Sequence, residues 1–123
     1  MSEIVFGPGE TLIRRGPAIY LGGYAGLGEE GVQGELLLTN KRLAFTITKK
    51  VGFLGLGGKR TEVVFNIPIS NVMMARVDVT GILRKSKELV ITLEDLGTIN
   101  NVRFRIEDPE GWRTAIQKAM SEA

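Results

Sequence analysis

The sequence predicts a mainly β domain: about seven short antiparallel strands closed by one C-terminal amphipathic helix. Three observations carry this. Sixteen glycines cut the 123-residue chain into short pieces, as a fold of short strands requires. Several pieces alternate apolar and polar residues with a period of two. Lys87 to Glu94 is the cleanest, with Leu89, Ile91 and Leu93 on one face. Only the C-terminal segment has helical spacing, with Trp112, Ala115, Ile116, Ala119 and Met120 on one face.

Taken in order, Thr11 to Arg15 reads as a first strand and Ala18 to Leu21 as a short second piece. Gly22 to Gly34 is loop, with glycine at 22, 23, 26, 28, 31 and 34. A hairpin follows, with strands over roughly 35–39 and 42–49. Leu36, Leu37 and Leu38 face Leu43, Ala44, Phe45 and Ile47 across the turn Thr39-Asn40-Lys41-Arg42. Asn tolerates positive φ better than most residues and suits that turn. Thr61 to Ile67 is a strand ended by Pro68. Asn71 to Val79 and Lys87 to Glu94 are the next two. Val102, Phe104 and Ile106 alternate with Arg103 and Arg105, giving a half-buried strand with a basic outer face. The helix opens on Asp108 as N-cap, Pro109 at the first helical position and Glu110 against the dipole. Gly111 weakens its first turn, and Arg113, Gln117 and Lys118 face water.

Residues 1–123 make one domain, long enough to bury a core without staples. Hydrophobic residues are 43% and charged residues 24% of the chain, ordinary values for a globular protein. There is no cysteine and no histidine. That removes a disulfide framework, the commonest general base and the commonest metal ligand. No apolar run approaches 18 residues, so no membrane-spanning helix is expected. Met1 to Gly7 lacks a basic region and a long apolar core, so no signal peptide is expected, and the expected location is cytoplasmic.

Phosphate motifs fail in detail. Gly58-Lys59 is followed by Arg60 where a P-loop needs Ser or Thr for Mg²⁺, and Phe53 stands where its first glycine belongs. Gly55-x-Gly57 has Arg60 in place of the third glycine of a dinucleotide fingerprint. The acidic pairs Glu29-Glu30, Glu94-Asp95 and Glu107-Asp108 are neighbours whose side chains point apart on a strand or turn. The expectation is no catalysis, no metal and no nucleotide or other cofactor. Nucleic acid is not expected either, because the basic runs lack interleaved aromatics and no reading helix is present.

The hairpin wording Gly34-Glu35-Leu36-Leu37-Leu38-Thr39-Asn40-Lys41-Arg42-Leu43-Ala44-Phe45 resembles that of the GRAM branch of the pleckstrin-homology-like (PH-like) superfamily. Three further stretches resemble it in the right order. Gly9-Glu10-Thr11-Leu12 is similar to its "G-E" opening. Ile67-Pro68-Ile69-Ser70-Asn71-Val72 is similar to a strand start in that family. Asp108-Pro109-Glu110-Gly111-Trp112 is similar to the start of its capping helix, with Trp112 as the plug. Similar hairpin wording occurs in the GLUE and bacterial PH-like branches. The resemblance implies a seven-stranded antiparallel barrel or sandwich capped by one C-terminal α-helix, and a binding module. Some PH-like domains bind phosphoinositide headgroups and others bind proteins. The basic signature of headgroup binders lies on the first two strands. Arg14 and Arg15 are in the first strand here, but Glu35–Leu38 carries no basic residue, which counts against a specific phosphoinositide pocket.

Between 41 and 60 there are six basic residues and no acid: Lys41, Arg42, Lys49, Lys50, Lys59 and Arg60. Arg84, Lys85 and Lys87 form a second cluster. Solvated loops or protected sheet edges explain such runs without function. The 49–60 loop stands out because its middle, Val51, Phe53, Leu54 and Leu56, is apolar and flanked on each side by two cations. One reading is a membrane-touching tip with a cationic collar, in which Lys49, Lys50, Lys59, Arg60, Arg84, Lys85 and Lys87 meet anionic lipid headgroups. The other is a protein-interaction or self-assembly surface, the tip burying itself on the barrel, on a partner or on a second copy.

Overall fold

The period-two segments form strands in the computed structural model, which describes residues 4–28, 30–50 and 57–123, with Lys49 and Lys50 described in their backbone alone. The strands are β1 (Leu12–Gly22), β2 (Val32–Thr39), β3 (Arg42–Lys50), β4 (Lys59–Pro68), β5 (Val72–Thr80), β6 (Ser86–Asp95) and β7 (Thr98–Ile106). A 3₁₀ turn (Ile69–Asn71) joins β4 to β5, and α1 (Pro109–Glu122) ends the fold. All seven strands belong to one antiparallel sheet in the order β4-β3-β2-β1-β7-β6-β5. The inner faces of all seven feed one core, so the sheet curls on itself. Leu36, Leu38, Leu43, Phe45, Leu89, Ile91, Leu93, Val102 and Phe104 are fully enclosed in it. Phe45 sits among Tyr20, Phe65 and Phe104, with ring centroids 5.0–6.3 Å apart, within the range of favourable aromatic pairs.

Three strand expectations are corrected. β2 starts at Val32, inside the expected 22–34 loop, and Gly34 pairs with both Ala18 and Ile47, where a Cβ would fall 2.2 Å from the Thr46 carbonyl oxygen. β1 is one strand, not two pieces. Gly16 and Pro17 stay in the ladder, opposite Leu36 and Glu35. Pairing with β7 begins only at Ala18. Before that point β1 has a neighbour on one side, and a proline without an N–H is tolerated on the open side. β7 starts at Thr98 rather than Val102, because Leu96 (φ 51°) and Gly97 (φ 82°) form a two-residue hairpin turn after Asp95. Positive φ at both turn positions matches the twist of the flanking strands.

The helix starts where its cap residues place it. Asp108 accepts a hydrogen bond from the Gly111 N–H at 3.2 Å. Trp112, Ile116 and Ala119 are buried, whereas Met120 packs on the core only in part. α1 lies against β5 and β6, and the Gln117 amide donates to the Ala75 carbonyl at 3.2 Å.

Candidate functional site

The β2–β3 turn is tied to the segment that precedes β1. Glu10 is carried to it by the segment before β1, and its carboxylate collects three side-chain hydrogen bonds there. Thr39 Oγ1 donates at 2.6 Å, and Arg42 donates from Nε at 2.8 Å and Nη2 at 2.9 Å. The Gly7 N–H donates a fourth at 2.9 Å. Asn40 locks the same junction, accepting from the Thr11 N–H at 2.8 Å and donating to the Gly9 carbonyl at 3.0 Å. The Glu10 side chain is 4% exposed and that of Arg42 19%. Burial alone would raise the Glu10 pKa. The donors from Thr39, Arg42 and Gly7 and the Arg42 charge outweigh it and bring the carboxyl from 4.5 down to about 2. Arg42 also donates to the Val5 carbonyl at 2.5 Å. The two motifs "G-E" and "T-N-x-R" are therefore halves of one clamp.

The opposite rim, where β1 runs into β2, is also bonded internally. The Tyr20 hydroxyl accepts from the Tyr24 N–H at 2.8 Å and donates to the Leu27 carbonyl at 2.7 Å. Tyr24 in turn donates to Asp95, at the β6–β7 turn. Burial, then the Asp95 hydrogen bond and charge, push the Tyr24 hydroxyl up to about 12. Asn100 accepts from the Ala25 N–H at 2.9 Å. Gly23 (φ 100°) is required for this contact: a Cβ there would fall 1.8 Å from the Asn101 carbonyl oxygen. The two β1 arginines are engaged as well. Arg14 pairs with Asp108 at 2.7 Å and lies 5.3 Å from the centre of the Trp112 ring. Arg15 pairs with Glu35. The Arg14 hydrogen bond, with the Gly111 N–H, holds the Asp108 carboxyl below its usual value.

The expected basic outer face of β7 is half neutralised. Arg103 pairs with Asp78 at 2.9 Å and Glu88 at 3.1 Å, and Arg76 joins Asp78 at 3.1 Å. Hydrogen bonds from Arg76 and Arg103 lower the Asp78 pKa despite some desolvation.

The 49–60 site is described at its base. Lys49 is in register with Arg60, and Lys50 with Lys59, so four basic positions form two cross-strand pairs at the hairpin mouth. Lys59 and Arg60 are exposed, and Arg60 approaches Glu62 at 3.4 Å. Lys59 also lines an open groove of about 1010 Å³ over the outer face of β1–β4, with Ile4, Phe6, Arg15, Leu37 and Thr48. Val51, Phe53, Leu54 and Leu56 lie outside the described residues. Arg84, Lys85 and Lys87 are exposed at the β5–β6 turn and at the start of β6, and their side chains make no ion pair or hydrogen bond among the described residues. β3 and β6 are separated in the sheet by β2, β1 and β7, so the two clusters are not ladder neighbours. Next to Arg84, Ile82 and Leu83 are almost wholly exposed. Sequence reasoning passed over that pair, although an apolar dipeptide between a glycine and a basic run was there to be read.

Among the described residues no group of three or more acidic side chains is arranged to hold a metal ion, and no helix is long and apolar enough to cross a membrane. No protein-family model matches the chain, and no curated protein matches it in sequence. Solved structures do match its fold. The Vps36 N-terminal PH domain superposes with a TM-score of 0.58 at 14% identity, over 95% of this chain and 83% of that one. The PDZ-RhoGEF DH/PH domains in complex with GTPγS-activated RhoA give a TM-score of 0.58 at 13% identity, over 93% of this chain. This chain spans 30% of the length of the latter. The fold is thus that of PH domains: seven antiparallel strands and a C-terminal capping helix.

Proposed function

We propose that this chain is a non-catalytic PH-fold binding module that makes reversible, peripheral contact with anionic membrane lipid headgroups through the 49–60 hairpin end. One observation carries the reading. The register sets Lys49 opposite Arg60 and Lys50 opposite Lys59. Like charges directly opposite one another destabilise a ladder, and an anionic surface relieves that cost. Each cation near such a surface contributes about 1 kcal/mol. Phe53, Leu54 and Leu56 would add shallow insertion. The engaged arginines of β1 argue for a surface contact rather than a headgroup pocket between β1 and β2.

The test is vesicle co-sedimentation with phosphatidylcholine alone and with added phosphatidylserine. Wild type binds the anionic vesicles at low salt and loses binding as the Debye length falls from about 10 Å at 0.1 M to 3 Å at 1 M salt. Lys59→Glu/Arg60→Glu lowers the partition coefficient by roughly tenfold or more, from the two reversed charges. If wild type ignores anionic vesicles at low salt, the lipid reading falls. A protein-interaction or self-assembly module then takes its place, and concentration-dependent light scattering decides between those two.

A further inference from the structure

We infer that the β5–β6 turn is a second, independent membrane-contact tip, in which Ile82 and Leu83 insert and Arg84, Lys85 and Lys87 hold the anionic headgroup layer. The inference shares the lipid-surface reading above and assigns it a separate place on the molecule.

The geometry begins at Gly81. Its φ is 96°, and a Cβ at this position would lie 2.0 Å from the Arg84 carbonyl oxygen. The chain therefore doubles back tightly between Thr80 and Ser86, which are paired across the ladder. Ile82 and Leu83 are left at the apex, 96% and 98% exposed. Two adjacent β-branched and branched aliphatic side chains in open water are an unfavourable arrangement that burial elsewhere would relieve. The apex is convex, which fits a soft surface that yields around it.

The charges beside it select the surface. The chain has nine arginines. Seven of them (14, 15, 42, 60, 76, 103 and 113) form ion pairs with acids of the same chain. Arg84, with Lys85 and Lys87, has no such partner among the described residues. The comparison within the molecule is Leu96 at the β6–β7 turn. It is 99% exposed, but it follows Glu94 and Asp95 and would be repelled from an anionic layer. An exposed leucine alone therefore does not mark a membrane tip. An apolar apex joined to unpaired cations of one sign does.

The chain contains no cysteine, so Leu83→Cys and Leu96→Cys can each be labelled at a single site with an environment-sensitive fluorophore. On phosphatidylcholine vesicles containing phosphatidylserine, the label at 83 shifts to the blue and is quenched by lipid-borne spin labels, while the label at 96 stays aqueous. Ile82→Ser/Leu83→Ser and Arg84→Glu/Lys85→Glu each weaken co-sedimentation by roughly tenfold, with unfolding midpoints unchanged because the residues are exposed. If wild type binds these vesicles while label 83 stays aqueous and both variants bind as wild type does, the second tip is refuted and the 49–60 reading stands. If label 83 inserts and Lys59→Glu/Arg60→Glu binds normally, the tip is upheld and the 49–60 reading falls. If no vesicle is bound, both fall. A label shift that grows with protein concentration without lipid assigns the tip to a second copy of the chain and overturns the lipid inference.

Discussion

The β2–β3 turn and the β5–β6 turn carry the same local chemistry, two adjacent cations beside aliphatic strands: Lys41-Arg42 in one, Arg84-Lys85 in the other. In the first, the fold returns an acid from 32 positions upstream, and Arg42 closes on Glu10 with Thr39 and Gly7 completing the shell. In the second, no described acid reaches the cations, and the neighbouring Ile82 and Leu83 remain in water. A basic dipeptide is therefore structural or available according to what the rest of the chain brings to it. That depends on topology, and no window around the dipeptide contains the information.

The contrast can be broken most directly by removing one partner of the buried pair. Arg42→Met leaves Glu10 buried without its cation and should cost about 3–5 kcal/mol in urea unfolding. A loss below about 1 kcal/mol would mean that water replaces the guanidinium and that the clamp is ornamental. The acid dependence sharpens the same point. The folded pKa of Glu10 is depressed to about 2 from 4.5. Its contribution is thus fully present above about pH 4.5 and is lost as pH falls toward 2. The stability gap between wild type and Glu10→Gln should close across that window, and a gap that stays constant would refute the assignment. Smaller again is Tyr24→Phe, which cuts the tie between the β1–β2 loop and Asp95 and should cost about 1–2 kcal/mol. At the other end of the comparison, Arg84→Ser/Lys85→Ser should change stability by no more than about 0.5 kcal/mol.

Much of the fold is legible in particular residues. Leu36 to Phe45 reads as a hairpin because two apolar runs, Leu36–Leu38 and Leu43–Phe45, flank a polar turn that Asn40 suits. The helix reads from Asp108-Pro109-Glu110, and the structure starts it at Pro109. Two features mislead for physical reasons. Gly16-Pro17 reads as a break, yet β1 passes through it because β7 joins only at Ala18. Leu96 holds a left-handed conformation that leucine rarely adopts, so of the two turn residues before β7 only Gly97 signals the turn. The site is less legible than the fold. The cations of 49–60 and 84–87 are plain in the sequence. Which of the other cations are already spent on Glu10, Glu35, Asp78, Glu88 and Asp108 follows only from long-range pairing.

Five of the six ladders in the sheet join strands consecutive in the chain, and the sixth joins β1 to β7. During synthesis the β1–β4 meander can therefore pair as it emerges, while the stretch from Ala18 to Gly22 keeps one edge open until Ile106 has been made. At ~5–20 residues per second that interval lasts roughly 4–17 s. Throughout it the nascent chain offers a strand edge to any neighbour. Closure of this one seam brings together the most distant segments and carries the largest loop-entropy cost in the sheet. The newborn protein is thus most open to mispairing along Ala18–Gly22.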